Sequence, residues 1–205
     1  MSKLYTYIVT EDTGLAPNPF FQWCTLALAT PNHMHARAYS GDWIAGFFHS
    51  EKGYRLLFAM EVQIRLSLRE YFLHPDFQCK KPVPDGTDEQ KCGDNFYSFD
   101  NGAWLQHESL YHRGNAHRKK DTRHNPPVFA SRKYWYFGKN AVEIPAEFEE
   151  LIARQGIQVN HASPEKVSAF RAWVNGYKNG MHAYPRDFAE TSSDALSIFG
   201  KLRQK

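Results

Sequence analysis

From Arg113 to Lys133 the chain carries seven cationic side chains (Arg113, Arg118, Lys119, Lys120, Arg123, Arg132 and Lys133) against one acid, Asp121. His112, His117 and His124 lie in or beside this run, and Tyr134, Trp135 and Tyr136 follow it. Cations interleaved with aromatic rings suit phosphate contact combined with base stacking, which is the chemistry of a nucleotide or nucleic-acid partner. The plainer reading of the same run is a solvated basic loop. Arg123 and His124, with Lys80 and Lys81 upstream, are the candidate phosphate-holding residues.

A second concentration of chemistry lies at residues 10–25, between the apolar runs Leu4–Val9 and Leu26–Ala29. Loops longer than about 12 residues inside a compact domain are usually functional or disordered. This one carries Phe20, Phe21 and Trp23, as a packed loop would, so it is expected to form one wall of a binding site. Asp12 and Asn18 could bond the polar edge of a base there, with Phe21 or Trp23 stacking on it. Further along, Gly41-Asp42-Trp43-Ile44 makes a tight turn into an apolar strand, where Trp43 is either a stacking residue or core. Gly93-Asp94-Asn95-Phe96-Tyr97 adds Asp94 and Asn95 for a polar edge and Tyr97 for stacking.

Catalysis has weaker candidates. Cys24 is the one nucleophile in the loop, but no base pairs with it by spacing, and a cysteine before an apolar strand is commonly a small core residue. Asp12, Asp94 and Glu108 could move protons, yet nothing in their spacing pairs them. Whether the chain is an enzyme stays open. His74, Cys79, Cys92 and His107 match no zinc pattern, and His33 and His35, although on one face of an extended segment, are two among ten scattered histidines. No Gly-rich phosphate loop or dinucleotide fingerprint is present, and no metal or cofactor is expected.

The elements that must position these residues read as α+β in one domain, 1–205. A β-rich core covers about residues 1–140, including a basic excursion over 79–133, and a helical part covers about 141–205. Leu56, Phe58, Met60, Val62 and Ile64 alternate with period two, so 54–64 is expected as a strand with one buried face. Ser67-Leu-Arg-Glu70 is a capping box opening a helix over 68–73. Val128 to Phe137 is expected as another strand. Pro145 starts a helix ending at Gly156, Ser163-Pro164 starts another ending at Gly176, and a last helix is expected over 193–202. At 42% hydrophobic and 15% aromatic residues the chain can bury a real core, so disorder is excluded as a class. A net charge of +3 permits an anionic partner without requiring one. No apolar run is long enough to span a membrane, no signal-peptide pattern is seen, and three cysteines argue against a disulfide framework, so a cytoplasmic protein is expected.

Tyr7-Ile-Val-Thr-Glu-Asp-Thr-Gly-Leu-Ala-Pro-Asn-Pro-Phe20 together with Cys24-Thr-Leu-Ala27 resembles the second nucleotide-modification-associated domain family. Gly41-Asp-Trp-Ile-Ala-Gly46, Gly93-Asp-Asn-Phe-Tyr97 and Ser131-Arg-Lys-Tyr-Trp-Tyr-Phe-Gly138 carry the same resemblance. It implies a place in systems, often viral or defence-linked, that modify DNA bases or process modified nucleotides. A looser similarity to PUA-like domains, including the ASCH and EVE groups, rests on the Gly-Asp turn before an apolar strand. It implies a compact, partly closed β-barrel-like core with flanking helices. The leading expectation is recognition of a nucleotide or DNA base, with no membrane partner and a homodimer left open. The rivals are a transferase or hydrolase acting in the same pocket, and a protein-interaction or inhibitor module.

Overall fold

A computed structural model describes residues 2–28, 34, 36–110, 112, 114–153 and 156–188. The elements along the chain are β1 (Leu4–Ile8), β2 (Cys24–Leu26), β3 (Trp43–Ser50), β4 (Gly53–Glu61), β5 (Ile64–Ser67), α1 (Leu68–Leu73) and α2 (Asp88–Lys91). There follow β6 (Tyr97–Asp100), β7 (Ala103–Gln106), α3 (Asn115–Asp121), β8 (Pro127–Ser131), β9 (Tyr134–Tyr136), β10 (Val142–Glu143), β11 (Gln158–Val159), α4 (Pro164–Asn175) and β12 (Gly180–Met181). Seven strands form one mixed sheet in the order β11-β1-β3-β4-β9-β12, with β10 also on β4. Within it β1 runs parallel to β3 and β12 parallel to β9. A three-stranded sheet, β2-β8-β5, and the hairpin β6-β7 complete the β structure.

The fold is thus α+β, and the described strands close no barrel. The departure from the expected barrel-like core lies at two corners. The segment expected as a single strand over 54–64 is broken at Val62-Gln63, and β4 and β5 belong to different sheets. The segment 128–137 is broken likewise at Arg132-Lys133, between β8 and β9. The two corners are stitched together: Gln63 N donates to Ala130 O at 3.1 Å, Glu61 N to Lys133 O at 3.0 Å, and Arg132 N to Gln63 Oε1 at 2.7 Å. Backbone groups that lose their ladder partners at a bend are thereby satisfied, and Arg132 is turned outward.

Two hydrophobic cores result. The larger packs the seven-stranded sheet, with Leu56, Phe58 and Met60 fully buried, against α4 and the short 3-10 turn Ala146–Leu151. Leu57 and Ala59 are equally buried, so β4 is covered on both faces and not on one. The smaller core gathers Trp23, Tyr71, Phe77, Phe96, Tyr97 and Val128 beneath loop 10–25. It is built largely from the excursion after residue 66, which explains why that excursion is long: it supplies a second core.

Local signals explain most of the helices. Ser67 accepts from Glu70 N while Glu70 Oε2 accepts from Ser67 N at 2.7 Å, the reciprocal capping box that sets the start of α1. Ser163 caps α4, whose stripe Val167, Phe170 and Val174 faces the core, with the Phe170 ring 6.3 Å from Phe47. The basic run contains α3, whose Gly114 N-cap offers no side-chain bond that the sequence could announce. The segment after Pro145 is a 3-10 turn ending at Leu151 and not a helix to Gly156. The expected helix over 193–202 lies outside the described residues. No described helix is long and apolar enough to cross a membrane.

Candidate functional site

Loop 10–25 closes into a narrow hairpin. Asn18 and Thr25 exchange two backbone hydrogen bonds at 2.9 Å, and Trp23 N donates to Phe20 O at 3.3 Å across the tip. The two tip residues have positive φ, Phe21 at 56° and Gln22 at 62°. Turns with both central residues left-handed favour Asn-Gly, and a bulky aromatic there is strained. Such strain persists only where the surroundings over-determine it. Here they do. Lys80, fully buried, donates from Nζ to Asn18 O (3.0 Å), Asn18 Oδ1 (2.7 Å) and Trp23 O (2.7 Å), gripping both legs of the hairpin from below. Tyr134 OH donates to Pro19 O at 2.8 Å, and Asn18 Nδ2 to Cys92 O at 2.9 Å. Asp94 accepts from Thr25 Oγ1 and from Tyr71 OH, both at 2.6 Å.

Four of the residues expected to touch a ligand therefore meet, but beneath the loop. Asn18, Lys80, Asp94 and Asn95 are all at most 1% exposed, which leaves them no surface for a ligand. Asn95 Nδ2 donates to Tyr71 O and Phe77 O and so fixes the turn into β6. Burial pushes the Lys80 ammonium down to about 8, opposed by the negative charge of Asp94, and burial raises the Asp94 carboxyl. Three acceptors use all three N–H bonds of an ammonium, so Lys80 is held here as a cation.

What the clamped hairpin presents is a cleft of about 590 Å³ lined by Phe20, Phe21, Gln22, Arg132, Tyr134 and Asn179, among others. That volume lies in the range of small-molecule sites. Phe21 is half-buried and lines this cleft. Arg132 stacks its guanidinium over the Trp23 ring, 4.6 Å from the centroid, and its side chain makes no hydrogen bond or ion pair with a described residue. A stacked guanidinium keeps its in-plane N–H donors free for an oxyanion. Asn179 bonds Tyr134 N at 2.9 Å and Arg132 O at 3.0 Å, which holds the β8–β9 corner and hence the arginine. Arg132 was legible as part of the basic run; Asn179 was not, because its partners are brought to it only by the strand break. Gln22→Gly should relieve the left-handed strain and stabilise the fold by about 0.5–1 kcal/mol, measured by chemical denaturation, since only glycine adopts that backbone without cost.

The remaining expected residues lie elsewhere. Asp12, 1% exposed, accepts from Tyr136 OH at 2.5 Å and Arg186 N at 2.8 Å, while Asp12 N donates to Asp187 Oδ2 at 2.8 Å. It fastens the segment around 186 to the sheet, and burial raises its carboxyl against the opposing hydrogen bonds. Trp43 is stacked on Trp135, ring centroids 5.1 Å apart, in the core. Tyr97 is buried with its hydroxyl on Asp121 Oδ2 at 2.8 Å. Cys24 is buried with its thiol pushed up to about 12 by desolvation, so it does not supply a thiolate near neutral pH. Lys81 covers the Phe72 ring at 3.9 Å. Arg123 and His124 are exposed side by side, 3.2 Å apart, and do not line the 590 Å³ cleft.

One further arrangement was not legible. His112 Nδ1 lies 2.5 Å from Asp121 Oδ2, and the His112 ring sits 5.1 Å from that of His117. His112 lines a smaller crevice of about 130 Å³ with Thr10, Glu11 and Thr13. A buried carboxylate on one ring nitrogen can orient the other as a proton acceptor. Among the described residues no group of three or more histidine, cysteine or carboxylate side chains gathers to hold a metal; His33 and His35 lie outside them.

No curated protein and no solved structure matches the chain. The sequence profile described as nucleotide modification associated domain 2 matches residues 1–192, which covers the clamped hairpin, the cleft and every strand described above. The chain belongs to the nucleotide modification associated domain 2 family, and so to a domain associated with nucleotide-modification systems.

Proposed function

We propose that this domain recognises a nucleotide or DNA base within a base-modification or modified-nucleotide-processing system, and that the cleft behind the Phe20–Trp23 turn is the recognition site. The observation that carries the reading is the strained turn itself: a buried lysine clamp holds Phe21 in a costly conformation beside the free face of Arg132. The Phe21 ring would stack on a base and the Arg132 guanidinium would hold the phosphate. Gln22, exposed at the tip, would bond the polar edge. Asn18, Lys80, Asp94 and Asn95 contribute by holding the platform rigid, since a site on a loop is only as precise as its support. A cytoplasmic setting fits three cysteines that form no disulfide.

The test is calorimetric titration with 2′-deoxynucleoside monophosphates, unmodified and base-modified. Saturable binding is expected, weakened about tenfold or more by Arg132→Ala, the scale of one lost charge-assisted bond, and to a similar degree by Phe21→Ala. Absence of binding, or variants that bind as wild type, would remove the proposal.

A second reading is an enzyme acting on the nucleotide, and the Asp121–His112 pair at the smaller crevice favours it. In that reading His112→Gln abolishes turnover while ligand affinity at the cleft is kept.

A further inference from the structure

The 590 Å³ cleft does not stand alone. It shares Arg132 and Asn179 with a neighbouring cleft of about 410 Å³, and it shares Glu89 with another of about 670 Å³ on its other side. The three compartments therefore follow one another, with the Phe21 cleft in the middle. Each is as large as a site that takes a small ligand, so the groove exceeds what a single nucleotide fills.

The side chains repeat along it. The 410 Å³ compartment offers the half-buried Tyr177 ring and Lys133. The central one offers Phe21 and Arg132. The 670 Å³ compartment offers Tyr184, whose residue is 41% exposed, and Lys139. One partly exposed aromatic residue and one cation thus recur three times, the Tyr177 ring packed edge-on against Phe137 and Trp173 and the Tyr184 ring tilted against Phe20 and Phe188. Two anions also lie on the groove: Glu89, whose carboxyl is held below the usual range by the hydrogen bond it accepts from Tyr184 OH, and Asp88, whose Oδ1 is 3.3 Å from Lys91 Nζ. Lys133 is bound to Glu61 at 2.6 Å, whereas Arg132 and Lys139 make no ion pair with a described residue. The groove keeps a modest positive excess, with ring faces that tolerate any base.

We infer that the groove binds a single-stranded nucleic acid, one nucleotide to a compartment. The inference rests on the proposed recognition role of the central cleft and extends it from a mononucleotide to a strand. Rings that stack on bases require those bases to be unpaired, and phosphates spaced along a strand meet cations spaced along a groove. A duplex offers only its backbone to such a surface.

The experiment compares thymidine monophosphate with oligothymidylates of about two, three and six nucleotides, and with a hairpin duplex, by competition against a fluorescent oligothymidylate. Affinity should tighten by about tenfold per added nucleotide up to about three and then level, and the duplex should bind much more weakly. Lys139→Ala should remove much of the gain with length while leaving the affinity for the monophosphate unchanged. The inference is overturned if the hexamer binds no tighter than the monophosphate, if the duplex binds as well as the single strand, or if Lys139→Ala leaves the hexamer's affinity at the wild-type value. In the first of these cases the central cleft still stands as a mononucleotide site. If nothing binds, the proposed recognition role fails along with the inference.

Discussion

Asp94→Ala is expected to lower the folding stability by about 3–5 kcal/mol, the cost of leaving two buried hydroxyls without their acceptor and a buried cation without its nearby counter-charge. Asp94 is wholly buried, so its removal leaves Thr25 Oγ1 and Tyr71 OH without their acceptor and the Lys80 cation without its counter-charge. Equilibrium denaturation measures the loss. Adding Lys80→Met should recover part of it, because the uncompensated charge is then gone and a well-packed apolar chain takes its place. Loss of the hairpin clamp should remain in the double variant. The wild type should also show a pH signature at this site. Lys80 titrates near 8 in the fold against 10.5 in the unfolded chain, so between those values the unfolded state binds more protons. Its contribution to stability therefore rises with pH across that window, by about 3 kcal/mol when complete. The stability difference between wild type and Lys80→Met should grow in favour of wild type from about pH 7.5 to about pH 10. A difference that stays flat would show that the ammonium is not desolvated as the structure has it.

Asp12→Ala is expected to cost about 3 kcal/mol, from two hydrogen bonds to a buried carboxylate. Tyr136 OH would be left buried beside the gap, and Arg186 N would lose its acceptor. The segment around 186 also binds through Asp187 N to Asp12 O, a backbone bond the substitution spares. Limited proteolysis should accordingly cleave near Arg186 far faster in the variant than in wild type. Asp12→Asn keeps an acceptor for one of the two bonds and should cost about half as much. A catalytic Asp12 would behave otherwise, with stability and protease resistance kept and turnover lost.

The two aspartates show where a sequence stops being readable. Loop 10–25 stood out because a short turn would have sufficed, and the structure makes it one wall of the 590 Å³ cleft lined by Phe20, Phe21 and Tyr134. The polar residues inside it were legible as important but not as buried. Asn18 and Asp12 look the same in sequence whether they face a ligand or bind Lys80 and Tyr136, and those partners come from 62 and 124 residues away. Trp43 reads in sequence as either a stacking or a core residue, and its stacking on Trp135 decides for core. Local signals carried further. The capping box at Ser67 and the Ser163-Pro164 start gave α1 and α4 because their hydrogen bonds close within four residues. The break at Val62-Gln63 was hidden because the period-two apolar alternation runs straight through it, whereas that at Arg132-Lys133 falls in the polar triplet Ser131-Arg132-Lys133; in both, the bonds that make the corners are between distant segments. The corner at Arg132 is also what brings that side chain to the proposed site: without it Arg132 would be one more cation in a basic run.

Photo-crosslinking with 5-iodo-2′-deoxyuridine monophosphate, followed by peptide mapping, tests the assignment of the cleft most directly. The account predicts saturable adducts on the peptides carrying Phe20–Trp23 or Arg132–Tyr134, competed away by unlabelled monophosphate and lost in Arg132→Ala. Adducts confined to other peptides, or labelling that neither saturates nor responds to Arg132→Ala, would contradict it.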